Sequence, residues 1–360
     1  MDPFQYEPLQ PNGNQIRLLC FSDDPGGQLS YTLKTFKLDE CPPYEALSYT
    51  WGPALPTKII SLNERPHEVR ENLGDFLDCV TRTGITILDG DGMLLRPTYL
   101  WVDQICIDQS SNGEKSHQVE RMGEIYKQAQ RVIVWLGCDD QDSDTAMRLI
   151  ADISLIQGRI HREDFPNYLT FLAASFNKYK DDLPRLLADR QSLENFLHRP
   201  YWSRLWIVQE FVLAQDLLLV CGSHALMLTS LTTFIWVSGL PSWFSGHSII
   251  TFPSSVYSLF EARRGRKAGV KFSLPNLLRD FSAMECENPR DKVYGLLGLC
   301  DGNVQIDIDY DKPSDELFRD LFLTSNYIKC YSEGWFLQLA EEMGVKWNLP
   351  KPRWSTNFNE

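Results

Sequence analysis

The stretch from Tyr99 to Gly137 constrains the fold of this chain more than any other. Tyr99-Leu100-Trp101-Val102 reads as a strand ending at Asp103. Lys115–Gln130 then places Val119, Met122, Ile125, Tyr126 and Ala129 on one helical face, and Arg131–Leu136 is an apolar, β-branched strand stopped by Gly137. Two strands that are apolar almost throughout, joined by an amphipathic helix, require a parallel sheet covered on both faces, because neither face can be left to water. The expected fold class is α/β, with a mostly parallel sheet and flanking helices.

Around this unit the chain divides into recognisable pieces. Ile16–Phe21 and Leu29–Phe36 form an expected hairpin within an N-terminal extension, residues 1–43. Tyr44–Gly52 reads as a buried strand running into a Gly-Pro break. Ile59–Leu62 and Glu68–Val69 suggest a second hairpin, followed by a helix with Leu73, Phe76, Leu77 and Val80 at 3.6 spacing. The core domain is expected over 44–222 and is interrupted by a helical insertion at about 139–198. That insertion opens on a helix capped by Ser143, with further helices near Tyr168–Tyr179 and Leu183–Leu197. Tyr201–Ala214 reads as one strongly apolar helix and Leu217–Cys221 as a strand. Residues 223–360 read as a mainly helical region packed on the core, most clearly at Leu274–Phe281, Arg290–Leu299 and Ser314–Ile328.

Composition excludes several functions. The 35 Lys and Arg against 48 Asp and Glu leave a formal charge of −13, which opposes general binding to a nucleic-acid backbone. One basic run, Arg263-Arg264-Gly265-Arg266-Lys267, reads as solvated surface. No stretch is long and apolar enough for a membrane span or a secretory leader. Nine widely spaced cysteines without Cys-x-x-Cys, and six scattered histidines, fit a reducing compartment and no metal site. A cytoplasmic, metal-free protein is expected.

In a parallel sheet, ligands collect beyond the carboxyl ends of the strands. Three expected strands deliver residues there: Ser48, Tyr49, Thr50, Trp51 and Gly52; then Asp103, Gln104, Asp108 and Gln109; then Trp135 to Gly137. A Trp beside a Gly offers a flat platform with close backbone approach, although such residues equally cap turns and pack cores. Glu210 is the more pointed candidate. On a helical wheel from Trp206 it falls among Trp206, Ile207, Leu213 and Ala214, so it is expected to be buried. A buried carboxylate must be paired or used, and Arg199, Arg204 or Arg121 could pair it. Gln209 can serve a ligand or bind the helix end. Cys106 reads as inert packing, and His117 as surface. Asn288-Pro289-Arg290-Asp291 reads as a turn and helix start, with Asp291 facing the helix dipole.

Three segments together, YEALSYTWG at Tyr44–Gly52, LWVDQICIDQ to VIVWLG at Leu100–Gly137, and RPYWSRLWIVQEFVLA at Arg199–Ala214, resemble the heterokaryon incompatibility (HET) domain of filamentous fungi. NPRDKVYGLLGL and IDIDYDKPSDELF resemble the region that commonly follows it; Asp108 stands where the family more often has Asn. The resemblance implies a role in the cell death that follows fusion of genetically different fungal cells. It also implies a distant similarity to Toll/interleukin-1 receptor (TIR) domains of flavodoxin-like topology. By that similarity Glu210 matches the glutamate of the NAD-cleaving members, Asp103 the acidic position opening a loop after the second strand, and Ser48-Tyr49 the end of the first. The implied activity is cleavage of the nicotinamide–ribose bond of NAD⁺ by one catalytic Glu, Glu210. The substrate-binding set is Ser48, Tyr49, Trp51, Gly52, Asp103, Arg204 and Trp206. NAD⁺ is then substrate, with no further cofactor and no metal. Homo-oligomerisation on activation, ordering a mobile loop at about Gln104–Glu114, and an upstream regulatory protein are also implied. The alternative is a non-catalytic signalling and assembly module.

Overall fold

A computed structural model describes residues 2–10, 13–23, 29–89, 94–157, 188–235, 252–302, 304, 306–324 and 334–345. In chain order, β1 (Gln15–Asp23) and β2 (Leu29–Lys37) form the first hairpin, and β3 (Glu45–Tyr49) follows. The second hairpin is β4 (Thr57–Leu62) and β5 (Arg65–Arg70), turning on Asn63 and Glu64, both at positive φ. Then come α1 (Glu71–Asp78), continued by a π turn over Cys79–Thr83, the two-residue β6 (Thr86–Ile87) and β7 (Tyr99–Trp101). The short α2 (Asp103–Cys106), the long α3 (Asn112–Gln128) and β8 (Arg131–Trp135) complete the expected parallel unit.

Among the described residues ten strands form one sheet, ordered β5-β4-β2-β1-β7-β3-β8 and then β9 (Leu217–Cys221), β10 (His224–Met227) and β6. Its centre, β7-β3-β8-β9, is parallel throughout, with Ser48 opposite Val134 and Tyr49 opposite Trp135. Antiparallel neighbours flank it, β1 against β7 on one side and β10 against β9 on the other. The fold is α/β, mixed at the flanks and parallel where the sequence is most apolar. Alternation explains the apolar runs. Val132 and Val134 join one core with Ala46 and Leu217. Ile133 and Trp135 join the core on the opposite face with Leu47 and Leu218.

The stretch expected to be an insertion holds α4 (Gln141–Gln157) and α5 (Arg190–Leu197); the helix expected at Tyr168–Tyr179 lies outside the described residues. Ser143 is not the cap of α4. Asp140 is, accepting from the Ser143 backbone N–H at 2.7 Å, while the Ser143 hydroxyl accepts from the Asp140 N–H at 2.8 Å. The single helix expected over Tyr201–Ala214 is also corrected. A 3₁₀ turn over Pro200–Ser203 is followed by an extended break, and α6 covers only Ile207–Leu213. The break exists because the backbone at 203–205 bonds across to Glu285, which supplies one N–H and one carbonyl at 2.7 and 2.8 Å.

The C-terminal region contributes α7 (Ser254–Lys267), α8 (Leu274–Phe281), α9 (Asp291–Leu297), α10 (Ser314–Thr324) and α11 (Gly334–Glu342). The basic run sits on α7, and Arg263 is not solvated. It is buried, and its guanidinium bonds the Phe211, Ala214 and Gln215 carbonyls at the end of α6. Such carbonyls have no intrahelical partner, so the arginine secures α7 against the core without a carboxylate. His117, expected on the surface, is half-buried.

Backbones touch where α3 meets the end of α9. A Cβ added at Gly123 would lie 3.1 Å from the Gly298 carbonyl oxygen. Gly123→Ala is expected to cost about 1–3 kcal/mol by separating the two segments. Urea unfolding should show a lowered midpoint at unchanged slope; an unaltered midpoint would mean that the contact yields freely.

Candidate active site

Beyond the carboxyl ends of β3 and β7 lies a cavity of about 390 Å³. One wall comes from the sheet side: Trp51, Gly52, Asp103, Gln109, Arg204 and Trp206. The facing wall comes from the C-terminal region, with Glu285, Cys286, Glu287, Asp291 and Tyr310, and Lys115 of α3 closes one side. Gly52 takes φ +73°, a conformation that favours glycine, and this turns the chain out of β3 directly after Trp51.

Five of the eight residues expected to form a site line this space: Trp51, Gly52, Asp103, Arg204 and Trp206. The other three do not. Ser48 and Tyr49 are buried within β3, and Glu210 is 2% exposed. Tyr49 contributes its carbonyl, which accepts from the Arg204 guanidinium. Ser48 donates to the Glu210 carboxylate and shares a 2.8 Å hydrogen bond with the Tyr201 hydroxyl. Burial pushes the Glu210 carboxyl up to about 7, while Arg204 and the Ser48 hydroxyl pull the other way. Of the three arginines that could have paired with it, Arg199 bonds the Leu136 and Cys138 carbonyls and Asp140, and Arg121 reaches Gly13 and Glu124. Arg204 remains as the nearby cation. Gln209 is buried, donating to the Tyr294 carbonyl at 3.3 Å, so it serves the interior.

Two Trp–Asp pairs face the same cavity. Trp51 Nε1 donates to Asp103 at 2.8 Å, and Trp206 Nε1 donates to Asp291 at 2.9 Å. Burial raises both carboxyls, and the indole N–H bonds partly offset this. The Arg70 guanidinium lies 4.8 Å from the Trp51 ring and bonds both the Gly52 carbonyl and Glu287, joining the two walls. The second wall is not visible in the sequence, where Asp291 reads only as a dipole partner and Lys115 and Tyr310 carry no site signal. Its one available signal is a charged pair, Asp291-Lys292, opening a helix that is otherwise uncharged.

The stretch expected to be a mobile loop, Gln104–Glu114, is tied at many points. Gln109 donates to the Asp103 carbonyl at 2.9 Å, Ser111 caps α3 by accepting from Glu114 N–H, and Glu114 accepts from Asp108 N–H. Buried Arg17 bonds both oxygens of Glu114, at 2.6 and 2.9 Å, together with the Cys106 carbonyl. Cys106 is buried and its thiol is pushed up to about 12 by desolvation, which suits packing rather than attack. Among the described residues no three His, Cys, Asp or Glu side chains are grouped to hold a metal, and no helix is long and apolar enough to cross a membrane.

Residues 44–210 match the family model described as Heterokaryon incompatibility protein (HET). Over that span the chain is similar to a HET domain. The whole chain is also similar to heterokaryon incompatibility protein 6, OR allele, of Neurospora crassa, with 29% identity over 98% of this chain and 58% of that protein. The chain thus spans a little over half the length of the curated relative it matches. No solved structure matches. The HET match ends at Glu210, so Glu285 to Tyr310, which close the cavity, lie outside the matched domain.

Proposed function

We propose that this protein acts in fungal heterokaryon incompatibility as a cell-death effector that cleaves the nicotinamide–ribose bond of NAD⁺. The observation that carries this reading is a buried carboxylate, Glu210, raised to about 7, next to an arginine that lines a Trp-walled cavity. Perturbed groups beside a cavity are candidate catalytic groups. The flat cationic nicotinamide suits the Trp51 and Trp206 walls and the acidic rim. The two phosphates suit Arg204, which lines the cavity and whose charge also acts on Glu210.

The chemistry needs little else. As the C1′–N bond breaks, its electron pair goes to the ring nitrogen and neutral nicotinamide leaves. Positive charge grows on the ribose, where an ionised Glu210 stabilises it and orients a water molecule. The water oxygen bonds to C1′ and its proton is released, giving ADP-ribose. Self-association and an upstream activating protein belong to this reading, since assembly can provide the movement that uncovers Glu210.

One observation favours a second reading. In this state Glu210 does not line the cavity, as in a non-catalytic assembly module whose buried carboxylate is structural. Incubating the full chain with NAD⁺ at rising protein concentration separates the two. Nicotinamide release that rises more steeply than protein concentration, and stops in Glu210→Gln, is expected. No release at any concentration, with cell killing unchanged in Glu210→Gln, would establish the assembly reading.

A further inference from the structure

Asp291 spends both carboxylate oxygens on aromatic groups of the cavity. Oδ2 accepts from Trp206 Nε1 at 2.9 Å and Oδ1 from the Tyr310 hydroxyl at 2.8 Å. Asp291 is 7% exposed. On the far side of Tyr310, the Lys115 ammonium lies 4.3 Å from the ring centroid. A hydrogen bond to an ionised acceptor is worth about 1.5–3 kcal/mol, enough to hold a half-buried indole in one orientation against its other rotamers. Gly295, one turn along the same helix, lies beside that indole: a Cβ there would be at ordinary contact distance, 3.7 Å, from Trp206 Cδ2. One side of Trp206 is therefore packed against α9 and its N–H is fixed by the start of the same helix, while the residue still lines the cavity.

We propose that Asp291 is a positioning residue for the ligand. It holds the Trp206 indole as the wall against which a flat heteroaromatic ring stacks, so the region after the HET domain completes the domain's binding site. The inference rests on the NAD⁺ reading for the ligand, but the tie between Asp291 and Trp206 can be tested without any ligand. Asp291→Asn is the telling change, since it keeps shape and removes charge. The amide oxygen can still accept from the indole while the NH₂ donates to the Tyr310 hydroxyl, but the acceptor is then neutral and its hold on Trp206 weaker.

The experiment uses the full chain as wild type, Asp291→Asn, Trp206→Phe and the double variant, with melting temperatures as a check on folding. The Trp206 indole N–H resonance, assigned by its loss in Trp206→Phe, should move upfield and exchange faster in Asp291→Asn. With NAD⁺ as the probe, Asp291→Asn should raise KM about tenfold with kcat within twofold. It should add nothing further in the Trp206→Phe background, because a residue acting through another is non-additive with it. An unmoved indole resonance overturns the positioning role. So does an equal KM penalty with and without Trp206. If the wild type neither binds nor cleaves NAD⁺, the function proposed above fails. In that case the indole resonance still decides whether Asp291 sets the cavity wall.

Discussion

Glu210→Gln is expected to abolish NAD⁺ cleavage and at the same time to make the protein harder to melt at alkaline pH. The folded state holds the Glu210 proton up to about 7, well above the ordinary carboxylate range, because burial disfavours the charged form. Whatever that proton contributes to stability is fully present at acid pH and is lost as pH rises through about 7. The glutamine has no charge to bury. Relative to wild type, the variant should gain up to about 3 kcal/mol between pH 5 and pH 8.5. For a chain of this length that is a melting-temperature difference of about 4 °C. Turnover should move the opposite way, rising in wild type through the same interval as the carboxylate ionises, and falling at least about 100-fold in the variant. A melting difference that is flat with pH would show that Glu210 is already ionised in the folded protein, and would remove the basis for its role.

The second large effect is structural. Arg17→Ala leaves Glu114 buried with one backbone donor in place of a two-pronged guanidinium. Deleting one member of a buried ion pair typically costs about 3–5 kcal/mol, because the remaining charge keeps its desolvation penalty. Glu114 also anchors Asp108, so the loss falls on the strap between α2 and α3, beside the cavity residues Asp103 and Gln109. Hydrogen exchange over 107–114 should accelerate more than the global loss of stability explains. Arg17→Ala with unchanged exchange there would mean that Ser111 and Gln109 hold the strap alone.

The parts of this fold that could be read in advance are those where burial on both faces leaves only apolar residues. β3, β7, β8 and β9 announce themselves because, Glu45, Ser48 and Arg131 apart, their side chains meet a core. β6 and β10 do not: one is two residues long, and the other, His224-Ala225-Leu226-Met227, lacks the β-branched residues that mark a strand. The break before α6 is invisible for a different reason. It is imposed by Glu285, some 80 residues downstream, and periodicity reports only local neighbours. At the site, the burial of Glu210 follows from its place among Ile207, Phe211 and Leu213, but its hydroxyl partners Ser48 and Tyr201 arrive from other elements. Arg263 misleads most. A run of basic residues suggests solvent, yet one of them caps a helix end in the interior.

The strand order also has a consequence for synthesis. β6 ends at Ile87, but its partner begins at His224, and β8 must wait for β9 at Leu217. At usual rates of translation the ribosome needs on the order of 10 s to travel between them. During that interval the apolar edge of β8 has no neighbour on one side, in a nascent chain that already carries the complete β1–β2 and β4–β5 hairpins. The growing polypeptide therefore passes through a stage in which an apolar central strand is made but not yet sheltered. Folding during synthesis, as well as final stability, therefore bears on its yield in the cell.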